Sequence, residues 1–387
     1  MRRLFKPVML LAFAALTLTL GSCKKDQQEE SEETNDELKQ AIVTQFVNNT
    51  VAPTYYSLAA ETELLADQLK TLKGNMTQNN LDAACATFLE ARAWWEKSEA
   101  FLFGAASDFG IDPHIDSWPL DQTAFDRLMS NPAMLEDLAG EDGDVAAGEQ
   151  LGNALLGFHG IEYIIFKDGA PKPVSEITEN DMIYAVAVAG DLRNRCFQLE
   201  VSWIGDAAPQ SHINKMEELE LNTTVNGGDY SYGENMINAG KAGSTYPTLT
   251  SAMVAILGGC SDITDEVGTS KIGKPHTGED PNYVESPYSQ TSITDFANNL
   301  RSVYNAYMGG IDNARDENRS VHTFIQSFNS GLDRRLLNAI NNAIDKIEAM
   351  KRPFVTYYSD NSAQEAMDAC QALDEVLSEA MDALKEQ

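Results

Sequence analysis

Gly157-Phe158-His159-Gly160-Ile161-Glu162 is the segment of this chain best placed to do chemistry. On a helix, His159 and Glu162 stand three residues apart and leave the backbone on one face. The apolar run around them, residues 151–166, implies that this face is largely buried. An imidazole and a carboxylate are costly there unless something uses them, and a divalent or ferric ion takes both as ligands. The spacing alone is not specific, since His276 and Glu279 repeat it in a Gly/Pro-rich loop. Context separates the two pairs: the first has flanking glycines that let another backbone approach, and the second reads as exposed loop. The reading without a metal is a buried, hydrogen-bonded pair that fixes helix packing.

Two ligands do not hold an ion, so further donors are needed. The acidic stretch 108–121 offers Asp108, Asp112, His114, Asp116 and Asp121. Asp112-Pro113 and Trp118-Pro119 stiffen it, and Trp118 is expected to bury. For Asp121, just before Gln122-Thr123-Ala124, capping of the next helix competes with ligation. Glu99 is a ligand or a surface charge. Arg92 is a carboxylate or anion clamp, or an exposed helix charge. Glu285-Ser286-Pro287-Tyr288-Ser289 could add a carboxylate and hydroxyls, with Ser286 the candidate. Helix capping by Thr291 or Ser292 before Asp295 is the alternative there. The expected cation site is thus His159 and Glu162 completed among Glu99, Asp116 and Asp121, with Arg92 and Ser286 beside it. Thiolates are absent from these segments, so a hard or borderline ion is expected, iron first and zinc second. HExxH, HxxEH, GxSxG, Walker and GxGxxG signatures do not occur.

The elements that must position these residues read as helices, with few strand signals. The spacing predicts helices over 36–73 (kinked or broken near Pro53), 80–104, 147–166 and 178–204. A second set covers 247–270, 291–308, 321–351 with a break at Gly331, and 362–384. The fold class is therefore all-α, two four-helix-bundle-like domains with long irregular loops, with duplication a further expectation. The divisions are 36–205 for the bundle carrying His159, 206–246 for the connection and 247–387 for the second bundle.

Arg2, Arg3 and Lys6 precede an apolar stretch, residues 7–20, that is shorter than the roughly 20 residues of a spanning helix. Leu20-Gly21-Ser22-Cys23 then resembles a bacterial lipoprotein cleavage box. Residues 1–22 are read as a signal peptide, Cys23 as the lipidated residue, and 23–35 as an acidic tether. Cys23→Ser is expected to release the protein from membranes or block its maturation; unchanged membrane fractionation and unchanged mass would exclude lipidation. Without residues 1–22 the chain carries 25 basic against 59 acidic residues, a formal charge of −34. That field repels nucleic acid and draws cations. Cys85, Cys196, Cys260 and Cys370 lack CxxC spacing and read as buried free thiols.

Several blocks together resemble the imelysin family of insulin-cleaving and iron-regulated periplasmic proteins. They are Ala91-Arg92-Ala93-Trp94 with Ser98-Glu99-Ala100-Phe101 and Phe103-Gly104, Ile115-Asp116-Ser117-Trp118-Pro119-Leu120-Asp121, the GxHxxE block through Tyr163, and Glu285-Ser286-Pro287-Tyr288-Ser289 followed by Asn299 and Tyr304 to Gly309. The resemblance implies two helical-bundle domains with the GxHxxE helix near their junction. It also implies a link to bacterial iron uptake and a peptidase label. A peptidase needs a metal-activated water and a general base, and no second histidine ligand or base is identified. The expectation is an outer-membrane lipoprotein facing the periplasm or the cell surface. It would be monomeric, bind a metal and assist metal acquisition, with other iron-uptake proteins as partners and no nucleic acid. A metal-dependent peptidase and a structural or adhesion lipoprotein with a vestigial site are the alternatives.

Overall fold

Polar caps start most of the long helices. Thr77 accepts the Asn80 N–H at the head of α3 (Gln78–Glu96), and Thr178 forms a reciprocal box with Asp181 at α5 (Glu179–Ile204). Thr248 does the same with Ser251 at α6 (Leu249–Glu266), and Asn329 accepts from Leu332 at α8 (Ser330–Glu348). Each cap contributes about 1 kcal/mol by satisfying a donor with no partner inside the helix. The remaining main helices are α1 (Asn35–Gln45), α2 (Ala52–Gly74), α4 (Gly157–Ile165), α7 (Ser292–Met308) and α9 (Asn361–Lys385).

The computed structural model describes residues 34–387. The expected signal peptide, Cys23 and nearly all of the tether lie outside the described residues. Among those described, the only strands are two-residue segments, Phe166–Lys167 paired with Ala170–Pro171. No helix of the described residues is long and apolar enough to cross a membrane. The fold is all-α.

Pro53 does not break the first helix. A π-helical stretch, Phe46–Val51, links α1 to α2, and Pro53 falls in the first turn of α2, where its missing N–H is tolerated. The helix expected over 147–166 is instead two. A short helix ends at Gln150, and α4 begins only at Gly157. Gly157 has φ +67°, and a Cβ there would lie 1.9 Å from the Ile115 carbonyl oxygen. Only glycine lets α4 start against that strand of backbone.

α2 packs against both α3 and α5, α4 packs against α5 and touches α3, and α6 to α9 form a second packed group. On α8, Leu332, Leu336, Ile340, Ala343 and Ile347 repeat every three or four residues, and all are buried. Full burial of such a leucine or isoleucine contributes about 1.5–3 kcal/mol. One large hydrophobic core runs through both groups, with a smaller cluster around Phe197 and Met216 beside it. They meet where a 3₁₀ turn, Glu99–Phe101, follows α3 and touches α6 and α7. Gly259 permits that contact, since a Cβ there would sit 2.2 Å from the Ala100 carbonyl oxygen. All four remaining cysteines are buried and free.

Candidate metal centre

Where the helix groups meet, six carboxylates and two permanent cations are buried together. Glu96 comes from α3, Glu99 from the turn after it, Asp116 from the end of the short helix Ile111–Ile115, and Glu162 from α4. Glu285 comes from the loop before α7, and Asp295 from α7 itself. Arg92, also on α3, and Lys271, at the end of the π-helical stretch after α6, are each about 1 % exposed. His159 completes the set from α4 at 2 % exposure.

Arg92 is the hub. Its Nη1 donates to Asp116, and its Nη2 lies 2.5 Å from both Glu285 and Glu96. Lys271 Nζ is 3.3 Å from Glu285, 3.5 Å from Glu99 and 3.9 Å from Glu96. Asp116 also accepts from Trp95 Nε1 at 2.7 Å. His159 Nε2 is 3.1 Å from Asp116 Oδ1, and its Nδ1 is 3.2 Å from Glu162 Oε2. The other Glu162 oxygen accepts from the Tyr288 N–H, the Ser289 N–H and the Ser289 hydroxyl at 2.7–3.0 Å. Glu162 therefore orients the imidazole through Nδ1 and leaves Nε2 facing the cluster. Ligating histidines are held in this way by a carboxylate behind them.

Negative charge exceeds positive, and the protonation equilibria record it. Burial pushes Glu285 up to about 8, and Asp295 and Asp112 up to about 7. Burial, with Glu96 beside it, raises Glu99 well above the usual carboxylate range despite Lys271. Against burial, Arg92 and His159 hold Asp116 below that range. Against burial again, hydrogen bonds to Asp116 and Glu162 raise His159 to about 9.

These residues fit a cation. Donor atoms of Asp116, His159 and Glu285 lie within 4.8 Å of one another, as do those of Glu96, Glu99 and Asp116. Glu285 Oε2 and Asn299 Oδ1 are buried acceptors with no donor, an arrangement that is costly without a partner. A cavity of about 440 Å³, lined in part by Trp118, Pro119, Pro287 and Tyr288, opens onto His159. Trp118 is half-buried rather than fully enclosed. Its ring lies 5.6 Å from the His159 ring and 5.3 Å from the Tyr283 ring, with the Lys271 ammonium 5.1 Å from its centre.

Of the residues expected from sequence, His159, Glu162, Glu99, Asp116 and Arg92 converge. Ser286 is buried beside them, close to Asp295. Asp121 stands apart: it is exposed and caps the helix Gln122–Met129 through the Ala124 N–H. Glu279 is exposed, and His276 bonds to the Tyr358 carbonyl oxygen, so the second His/Glu pair builds nothing. Sequence reasoning missed Glu96, Lys271 and the buried role of Asp295. Only Glu96 left a signal, four residues after Arg92 and three before Glu99.

The protein is all-α, with a buried histidine–carboxylate centre between two groups of helices. The chain belongs to the imelysin family, whose model, Peptidase M75, matches residues 51–380. It is 30% identical over 275 residues to iron-regulated protein A of Synechococcus elongatus, a match spanning 70% of this chain and 66% of that relative. A solved structure named as an iron-regulated protein A precursor from Parabacteroides distasonis superposes with a TM-score of 0.76 at 26% identity. It covers 91% of this chain and 96% of its own. An imelysin-like protein from Psychrobacter arcticum shares the fold, with a TM-score of 0.61 at 14% identity over 89% of this chain and 94% of its own.

Proposed function

We propose that this imelysin-family protein binds a divalent or ferric cation, iron first and zinc second, and assists bacterial metal acquisition. His159 Nε2, Asp116 and Glu285 would hold the ion, with Glu96 and Glu99 adjacent and Glu162 as the group behind the imidazole. A bound cation supplies the positive charge that Arg92 and Lys271 do not fully provide. The observation that carries this reading is the buried excess of carboxylates with Glu285 Oε2 left without a donor. The names of the Synechococcus and Parabacteroides relatives support iron as the first choice. In the same reading the protein is exported as a monomer and held through lipidated Cys23 at the outer membrane. It faces the periplasm or the cell surface, with other iron-uptake proteins as its partners.

The test is metal content and affinity after equilibration of the purified chain with iron and with zinc. His159→Ala is expected to remove most affinity with the helical circular dichroism unchanged. Glu162→Gln is expected to cost about 10–100-fold, the usual effect of losing the carboxylate behind a ligating histidine. Equal affinity in wild type and His159→Ala would place the site elsewhere. Metal-dependent cleavage of unfolded protein in the same preparation would favour the peptidase reading.

A further inference from the structure

A second cavity lies away from this centre, lined by the end of α3, by α7 and by α8. It has a volume of about 620 Å³ and is lined by Trp94, Lys97, Arg301, Tyr304 and several asparagines, including Asn298 and Asn305. Its lining carries two cations and one carboxylate, whereas the chain as a whole carries 59 acidic against 28 basic residues. Lys97 is half-buried, its ammonium 4.7 Å from the centre of the Trp94 ring. Burial and the nearby Arg301 charge lower its pKa, and Glu90 and Asp312 do not make up the difference. Arg301 donates to Asn298 at 2.9 Å and pairs with Glu348. Those bonds use two of its five N–H donors. The one carboxylate in the lining, Asp312, is turned to solvent and paired with Arg315.

Glu348, the partner of Arg301, lies outside the lining and Asp312 is turned to solvent, so an anion inside the cavity would meet the two cations Lys97 and Arg301. The neighbouring asparagine amides can donate hydrogen bonds, and the Trp94 and Tyr304 rings offer apolar faces. At this volume the space suits an organic molecule and is far larger than an inorganic anion requires. We infer that this cavity is a binding site for a small organic polycarboxylate, gripped by Lys97 and Arg301 and supported by the asparagine amides and the aromatic walls. The site is independent of the proposed metal centre, and failure of either leaves the other standing.

Tricarballylate is a suitable probe, because it carries three carboxylates and chelates metals weakly. The purified chain would be titrated calorimetrically in buffer stripped of metal, with the neutral triamide and inorganic phosphate as comparators. Tricarballylate is expected to bind, with the triamide and phosphate at least ten-fold weaker. Lys97→Gln and Arg301→Gln should each weaken binding by about 10–100-fold, the usual consequence of losing a charged hydrogen-bond donor. Arg301→Lys should recover part of that loss, and unchanged melting would show that the variants fold. Binding of triamide or phosphate as tight as that of tricarballylate would overturn the inference. So would full affinity in the Lys97→Gln, Arg301→Gln double variant.

Discussion

Replacing Arg92 with glutamine is expected to destabilise the chain by about 3–5 kcal/mol, the usual cost of removing one partner from a buried charge cluster. The substitution strands Asp116, Glu96 and Glu285 in the interior, where Lys271 reaches only the two glutamates. The guanidinium also lies 5.2 Å from the Phe158 ring, so packing is lost with the charge. An exposed pair provides the contrast. Arg335→Gln breaks a bond to Glu379 between side chains about half exposed, and should cost far less, because solvent screens the pair. Denaturant unfolding of both variants at pH 7 checks the difference. Equal losses would mean that the buried network contributes nothing beyond a surface ion pair.

The second large effect concerns pH. Glu285 at about 8, Asp112 and Asp295 at about 7 and His159 at about 9 all bind protons more tightly in the folded chain than when unfolded. Stability linked to them is fully present below their unfolded values, roughly 4–6.5, and is lost as pH rises through the folded ones. Asp116 has the opposite sign, and its contribution disappears only in strong acid. The metal-free chain should therefore weaken between about pH 5 and 9, by roughly 1–3 kcal/mol per pH unit where one or two groups titrate together. A cation in the place of those protons should flatten the slope. Metal affinity should rise over the same interval, displaced upward from the ordinary imidazole range expected from sequence. Melting curves at several pH values, with and without zinc, measure both effects. A metal-free stability that is level from pH 5 to 9 would show that the carboxylates are not protonated in the fold.

Much of this was legible in local pattern. The spacing of Leu332, Leu336 and Ile340 announces a buried helical stripe, and Thr178 with Asp181 announces where α5 starts. Local chemistry also settles Asp121, because a cap needs only the three residues that follow it. The late start of α4 was hidden, since it depends on the Ile115 carbonyl oxygen against Gly157, a contact between distant segments. Lys271 was hidden for the same reason. Nothing near it in sequence sets it apart from a surface lysine, and its burial follows from carboxylates on α3 and in the loop before α7. His159 and Glu162 showed the place but not the division of labour. The three bonds from Ser289 and Tyr288 that saturate one Glu162 oxygen arise some 126 residues away.

The pairing of Arg92 with Glu285 spans 193 residues of chain. Closing so long a loop carries an entropic cost that local helix formation does not repay. The centre is therefore assembled only when both helix groups are in place. A cation that needs Asp116, His159 and Glu285 together would find no comparable site on an unfolded or half-folded chain, so nearly all of its binding free energy would accrue to the finished fold. Retention of metal would then report that folding is complete.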